Sequence, residues 1–363
     1  SEMCIRDRDV PVLCAGRMDD PAMASEAVED GTCDIVSLGR PLLADPDYVN
    51  KLRAGRTEDI RPCISCQEGC MGRVQEYSMI NCAVNPQAAR ERVTAYEPIR
   101  KSKKVMVVGG GVAGCEAARV LAIRGHRPEV FEKNGCLGGN LIPGGAPDFK
   151  EDDLELAKWY ETTLKKLDVP VHLHTEVRKE DVEKAEYDAV IIATGSVPKV
   201  FPLGDDAHVY TAAQVLTKEK DCGGSTVVVG GGLVGCETAL WLAQQGKKVT
   251  IVEALDKLMA VNGPLCHANK DMLERLIPYN GIEVVTGAKV TGFRDGMLSC
   301  VVQEEKKEIS CDSVILSVGY REENSLYNDL QFDVPEIYLL GDAKKVSNIM
   351  YAIWDAFEVA NHM

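Results

Sequence analysis

From Lys103 onward, short and mostly apolar runs recur along the chain, each followed by a longer mixed stretch. The runs at residues 104–108, 189–192, 225–229, 249–253 and 337–340 predict strands buried on both faces. That is the habit of a parallel sheet flanked by helices. Residues 113–124 predict a helix after the first run. Ahead of Lys103 the pattern is sparser. Residues 10–16 and 34–39 predict two buried strands. Between them residues 20–30 predict a helix, with Asp20 as N-cap and Pro21 at its first position. A short helix is expected over residues 46–54. Strand, helix and strand with no partner sheet form an incomplete α/β unit, which needs neighbours to cover it. Residues 61–90 are loop-rich and carry a cluster of cysteines, and residues 91–102 read as a polar linker.

The C-terminal part repeats itself. Val107-Val-Gly-Gly-Gly-Val-Ala-Gly-Cys-Glu116 returns as Val228-Val-Gly-Gly-Gly-Leu-Val-Gly-Cys-Glu237, and the acids Glu132 and Glu253 keep the same offset of 121 residues. In each copy a strand runs into G-x-G-x-x-G and then a helix, and a later strand ends on the acid. Gly109 and Gly230 permit the tight turn. Gly111 and Gly232 let the backbone approach a pyrophosphate on the helix N-terminus. Gly114 and Gly235 allow close helix–strand packing. Glu132 and Glu253 can accept from a ribose hydroxyl. A carboxylate at Glu253 suits the free 2′-hydroxyl of NADH and repels the 2′-phosphate of NADPH, and Ala254, Leu255 and Asp256 supply no arginine for that phosphate.

With 363 residues and 45% apolar content, the chain can build two or three cores. A net charge of -15 gives nucleic acid and anionic membranes no electrostatic support, and no apolar run is long enough to span a bilayer. The opening residues do not read as a signal peptide, so a cytoplasmic location is expected. Residues 1–8 resemble the in-frame translation of a transposase-type sequencing adapter. They are set aside as a foreign leader, with Met3 and Cys4, and the native reading is expected to begin near Asp9. Fourteen cysteines in such a chain suggest metal-ligating and buried thiols rather than a disulfide framework. Cys63-x2-Cys66-x3-Cys70-x11-Cys82 is the most specific signal. Four thiolates at this spacing suit a 4Fe–4S cluster. Structural zinc is the competing reading, although zinc more often uses two separate C-x2-C knuckles.

Two further signals join the glycine loops. Ala193-Thr-Gly195 follows one apolar run, and Gly341-Asp342 follows another. Together these motifs resemble the flavoproteins with two dinucleotide-binding domains. That resemblance implies FAD on Gly109, Gly111, Gly114, Glu132 and Asp342. It implies NADH on Gly230, Gly232, Gly235 and Glu253, in a domain inserted into the FAD domain. Disulfide reductases of that group carry a C-x4-C pair beside the first loop. Here Cys136 has no partner at that spacing, so no dithiol relay is expected there, and Cys115 and Cys236 read as buried helix residues.

Ala15-Gly16-Arg17 and Leu38-Gly39-Arg40-Pro41 each follow a predicted strand. They resemble the last two strand-end loops of the old yellow enzyme barrel, where the FMN phosphate is held. By that resemblance Gly16, Arg17, Gly39 and Arg40 are FMN contacts. The order of parts resembles the multidomain old yellow enzyme family of NADH:flavin oxidoreductases, which includes enoate, dienoyl-CoA and bile-acid Δ4 reductases. The expected fold is α/β: the C-terminal end of a TIM barrel (9–60), an iron–sulfur segment with its linker (61–102), then nested Rossmann-like FAD (103–222 and 313–363) and NADH (223–312) domains.

The resemblance implies an enzyme that reduces an activated C=C bond of a small molecule. Electrons would pass from NADH to FAD, the 4Fe–4S cluster, FMN and substrate. No catalytic acid is assigned, because the family's proton donor would lie in a part of the barrel absent from this chain, which reads as a truncated fragment. Two alternatives stay open: an electron-transfer (diaphorase) module serving a carrier protein, and an amine dehydrogenase of the trimethylamine dehydrogenase type. Glu253 argues for NADH use. Homo-oligomerisation is likewise open.

Overall fold

A computed structural model describes residues 10–184, 186–260 and 265–363. The leader at residues 1–8, with Met3 and Cys4, lies outside the described residues. The N-terminal part runs β1 (Leu13–Ala15), α1 (Pro21–Glu29), β2 (Ile35–Ser37), α2 (Arg40–Ala44) and α3 (Tyr48–Arg53). The Asp20 carboxylate caps α1 by accepting from the Ala22 and Met23 amides, with Pro21 at the first position. β1 and β2 pair in parallel, Cys14 opposite Val36. The expectation that both strands are buried is corrected: Leu13 is 57% exposed and Ile35 49%. A parallel pair is buried only where further strands and helices cover it. Among the described residues β1 and β2 pair only with each other.

A segment without strands follows, with a π-helical turn at Glu68–Gly72. Then come β3 (Lys104–Val108), α4 (Val112–Arg124), β4 (Arg127–Phe131), α5 (Asp152–Lys166), β5 (Val171–His172), β6 (Ala189–Ile192), β7 (Val209–Thr211) and β8 (Ser225–Val229). The chain continues through α6 (Leu233–Gln244), β9 (Lys248–Val252), α7 (His267–Tyr279), β10 (Glu283–Val285), β11 (Ala288–Arg294), β12 (Met297–Val302) and β13 (Glu305–Ser310). It ends on β14 (Ser313–Leu316), β15 (Ile337–Leu339) and α8 (Ile349–His362).

Two parallel five-stranded sheets result, ordered β15-β6-β3-β4-β5 and β10-β9-β8-β14-β7, with an antiparallel β11-β12-β13 sheet beside the second. The anticipated boundaries shift. β7 and β14 were expected in the first unit but pair within the second sheet, Val314 opposite both Val209 and Val227. The second unit therefore extends beyond 223–312 on both sides. Short edge strands carry too little apolar signal to show which sheet they join. Each glycine loop follows the strand at which its sheet changes direction, β3 between β6 and β4 and β8 between β14 and β9, where ligands of open α/β sheets bind.

Helices α4, α5 and α8 cover the first sheet, with Leu121, Tyr160 and Phe357 fully buried. Ala44 of the N-terminal part and Ile64 and Val84 of the cysteine segment belong to that same core. The three parts are thus packed as one body around the candidate sites. Inside it the Glu116 carboxylate accepts from Arg119 at 2.7 Å and from the Tyr160 hydroxyl at 3.1 Å. Arg119 also donates to the Tyr96 hydroxyl, just before β3.

Candidate functional site

The two glycine loops have the same geometry. Gly109 and Gly230 adopt φ values of 106° and 108°. A Cβ on either would lie 2.3 Å from a carbonyl oxygen, that of Ala193 or of Ser317, each just past the neighbouring strand. A Cβ on Gly114 or Gly235 would lie 1.9 Å from the carbonyl oxygen of Gly109 or Gly230. Only glycine allows this packing. Gly111 and Gly232 start α4 and α6 with identical φ and ψ, -72° and -177°. A Cβ on Gly111 would meet nothing within 4 Å. The backbone there faces open space at a helix N-terminus, as a pyrophosphate cradle requires.

Glu132 and Glu253 are buried beneath these loops. Glu132 accepts from the Gly110 amide at 2.7 Å and from the backbone and side-chain nitrogens of Asn134. Glu253 accepts from the Gly231 amide at 2.5 Å and the Leu255 amide at 2.7 Å. A carboxylate has about four acceptor sites, so both retain capacity for a ribose hydroxyl. Asp342 follows β15 and accepts from the Ser196 hydroxyl and the Ser347 amide. Gly341 beside it packs on Ala113 of α4, where a Cβ would come within 2.8 Å. The structure thus brings Asp342 beside the first loop.

Cys63, Cys66, Cys70 and Cys82 line one small cavity. Among the described residues no three His, Cys, Asp or Glu side chains converge on a single ion position; these four thiols surround a space. Left-handed backbone at Ser65 (φ 51°) and Gln67 (φ 60°) curls the loop around it. Backbone amides of Ser65, Glu68, Val84 and Asn85 aim at the sulfurs of Cys63, Cys66 and Cys82. Burial pushes the Cys66 thiol up to about 12 and the Cys82 thiol up to about 11. Thiolates here need bound cations to offset desolvation, as an iron–sulfur cluster would provide. The residues fit such a group.

A second, more open cleft is lined by Gly16, Arg17, Gly39 and Arg40, and by Cys63 and Ser65. Arg40 and Cys63 line both spaces. The two candidate arginines differ. Arg17 donates to Ser65 and, at 2.7 Å, to Asp152. Arg40 is half-buried and has no salt-bridge partner among the described residues, so its guanidinium is the freer of the two.

Residues 103–356 match the model of the pyridine nucleotide-disulphide oxidoreductase family. The chain belongs to this family. Residues 2–59 match that of the NADH:flavin oxidoreductase / NADH oxidase family, a match that begins within the leader set aside above. Cinnamate reductase of Clostridium sporogenes is 49% identical over 98% of this chain and 53% of its own length. Bilirubin reductase of Mediterraneibacter gnavus is 34% identical over 97% of this chain and 55% of its own. The structure of a 2-naphthoyl-CoA reductase complex superposes with a TM-score of 0.92 at 28% identity, over 98% of this chain and 54% of that one. The chain spans about half the length of the curated relatives it matches. These likenesses agree with the resemblance to the multidomain old yellow enzyme family and with the expected α/β class, a barrel end followed by two nested Rossmann-like units.

In this family member Cys115 and Cys236 are fully buried, their thiols donating to the Gly110 and Gly231 carbonyls, while Cys136 is exposed. Several residues that shape the site escaped the motif reading. Gly69 lets the Cys70 loop approach Cys82. Arg61 donates to the Val84 carbonyl and sits 4.8 Å from the Trp159 ring. Asn269 of α7 donates to the Cys66 carbonyl, and Trp354 of α8 to that of Cys82. The glycine beside Cys70 was visible as a possible close approach; the other contacts cross up to 272 residues and leave no local signal.

Proposed function

We propose that this chain is the electron-input portion of an NADH-dependent flavin and iron–sulfur oxidoreductase that reduces an activated C=C bond of a small molecule. One observation carries the reading: the four-cysteine cavity shares the wall formed by Arg40 and Cys63 with the cleft of Gly16, Arg17, Gly39 and Arg40. A one-electron carrier in the first would adjoin a flavin in the second. When bound, NADH supplies an electron pair, the flavins exchange electrons singly or in pairs, and the cluster carries them singly. Gly109, Gly111 and Gly114 hold the FAD pyrophosphate at the start of α4, with Glu132 on the ribose and Asp342 toward the ribityl chain. Gly230, Gly232 and Gly235 do the same for NADH, and Glu253 rejects a 2′-phosphate by charge. Cys63, Cys66, Cys70 and Cys82 hold the iron. Arg40 and the Gly16 and Gly39 backbones hold the FMN phosphate.

The likeness to cinnamate reductase and 2-naphthoyl-CoA reductase supports an enoate or aryl-conjugated acyl substrate for the whole protein. No described helix is long and apolar enough to cross a membrane. The described cysteines are free, as a reducing compartment keeps them, and we place the protein in the cytoplasm.

The test is anaerobic purification of the chain. FAD should appear near one per chain, with iron and acid-labile sulfide at about four each. NADH should then drive ferricyanide reduction. Stoichiometric zinc under iron-replete expression would replace the cluster reading, and absence of FAD would overturn the whole proposal. In the whole protein, amine oxidation without reduction of activated alkenes would favour the amine dehydrogenase reading.

A further inference from the structure

The first nucleotide site and the cysteine cavity meet at one helix. Helix α8 touches both. Its Trp354 Nε1–H donates to the Cys82 carbonyl at 3.1 Å. The next residue, Asp355, accepts from the Gly341 amide at 3.0 Å, and Gly341 precedes Asp342 in the turn that packs on α4. A continuous bonded route therefore runs from Asp342 through Gly341, Asp355 and Trp354 to Cys82. Its one aromatic member is held in place. The Trp354 ring is half-buried and lies 4.8 Å from the Arg90 guanidinium, which is itself bonded twice to the Pro86 carbonyl. Among the described residues, the other side-chain hydrogen bond onto a residue of the cysteine set comes from Asn269, in the second nucleotide unit.

We propose that Trp354 is the positioning residue that couples the FAD site to the iron–sulfur cluster. It fixes the Cys82 backbone against α8 and closes the gap that single electrons cross. This rests on the functional reading above. The step it serves forms and breaks no bond. A reduced flavin would pass its two electrons to the cluster one at a time, each moving on before the next arrives, and one NADH hydride would then restore the pair.

Trp354→Phe keeps an aromatic ring near Arg90 while removing the N–H donor and part of the indole. In stopped-flow mixing with NADH, flavin bleaching should keep its wild-type rate in this variant. Bleaching of the cluster absorbance should slow by at least about tenfold, within the roughly hundredfold loss that a 1 Å misplacement can produce. Iron, sulfide and FAD content should stay at wild-type levels, and the cluster's electron paramagnetic resonance signal should shift as Cys82 relaxes. Trp354→Tyr restores a polar donor at the ring edge and should recover part of the rate. Cluster reduction at the wild-type rate in Trp354→Phe, with full iron, would overturn the proposal. Loss of iron in both variants would also overturn it, by making Trp354 a purely structural contact. Failure of the underlying reading would be seen separately, as wild-type protein lacking iron or FAD.

Discussion

Gly69→Ala is the sharpest perturbation of the cysteine cavity. A Cβ at Gly69 would lie 2.9 Å from the Ala83 nitrogen and 3.0 Å from both the Cys82 carbonyl carbon and Cα. Ordinary contact begins near 3.4 Å, so the backbone carrying Cys82 must retreat by about half an ångström. No flexible side-chain end is present to yield instead. Overpacking of this kind costs about 1–3 kcal/mol. The Asn81 amide bond to the Gly69 carbonyl, at 2.7 Å, lies directly in the strained loop, and weakening it adds about 1 kcal/mol. The clash falls on the backbone of residues 82 and 83, which α8 meets through the Trp354 bond to the Cys82 carbonyl, and not inside either sheet. It should therefore appear as lost cluster rather than lost fold. Iron and sulfide per chain should fall well below wild type in anaerobic preparations. FAD content and the melting temperature of the nucleotide units should change little. Full iron occupancy with unchanged cluster absorbance in Gly69→Ala would refute the argument that this glycine sets the Cys70–Cys82 approach.

Other expectations are more direct. Gly111→Leu should abolish FAD binding while NADH binding, measured by fluorescence titration, changes little; retained FAD would show the first loop to be misassigned. Glu253→Ala should narrow the preference for NADH over NADPH in flavin reduction, whereas a wild-type preference for NADPH would contradict the role given to that carboxylate. Burial raises the Asp153 carboxyl from 3.8 to about 6, despite Lys150 nearby. A carboxyl raised on folding favours the native state below its unfolded value, and that contribution is lost as pH climbs through 6. Asp153→Asn should therefore stabilise the protein above pH 6, by an upper bound of about 3 kcal/mol, and the gain should vanish by about pH 4. Thermal melts across this range that show no pH-dependent difference would rule it out.

The local sequence determined the parts whose physics is local. A glycine followed by a helix start, or an acid closing a strand, acts through its own backbone, so both nucleotide loops could be read directly and fold into the same geometry. The offset between the two copies persists in three dimensions: the Gly138 amide bonds the Gly110 carbonyl as the Met259 amide bonds that of Gly231. The cap at Asp20 was legible for the same reason. Tertiary structure decided what depends on distant neighbours. β7 and β14 are short, and only pairing with β8 assigns them to the second sheet. The exposure of Leu13 and Ile35 follows from which strands lie beside them, not from their own apolar character. Arg17 and Arg40 look alike in sequence, yet Asp152, far along the chain, occupies one, while the other has no salt-bridge partner among the described residues. The shared wall of the two cavities and the Trp354 bond to Cys82 likewise arise from packing between distant segments. Side-chain chemistry sets what each residue can do, but long-range packing selects its partner.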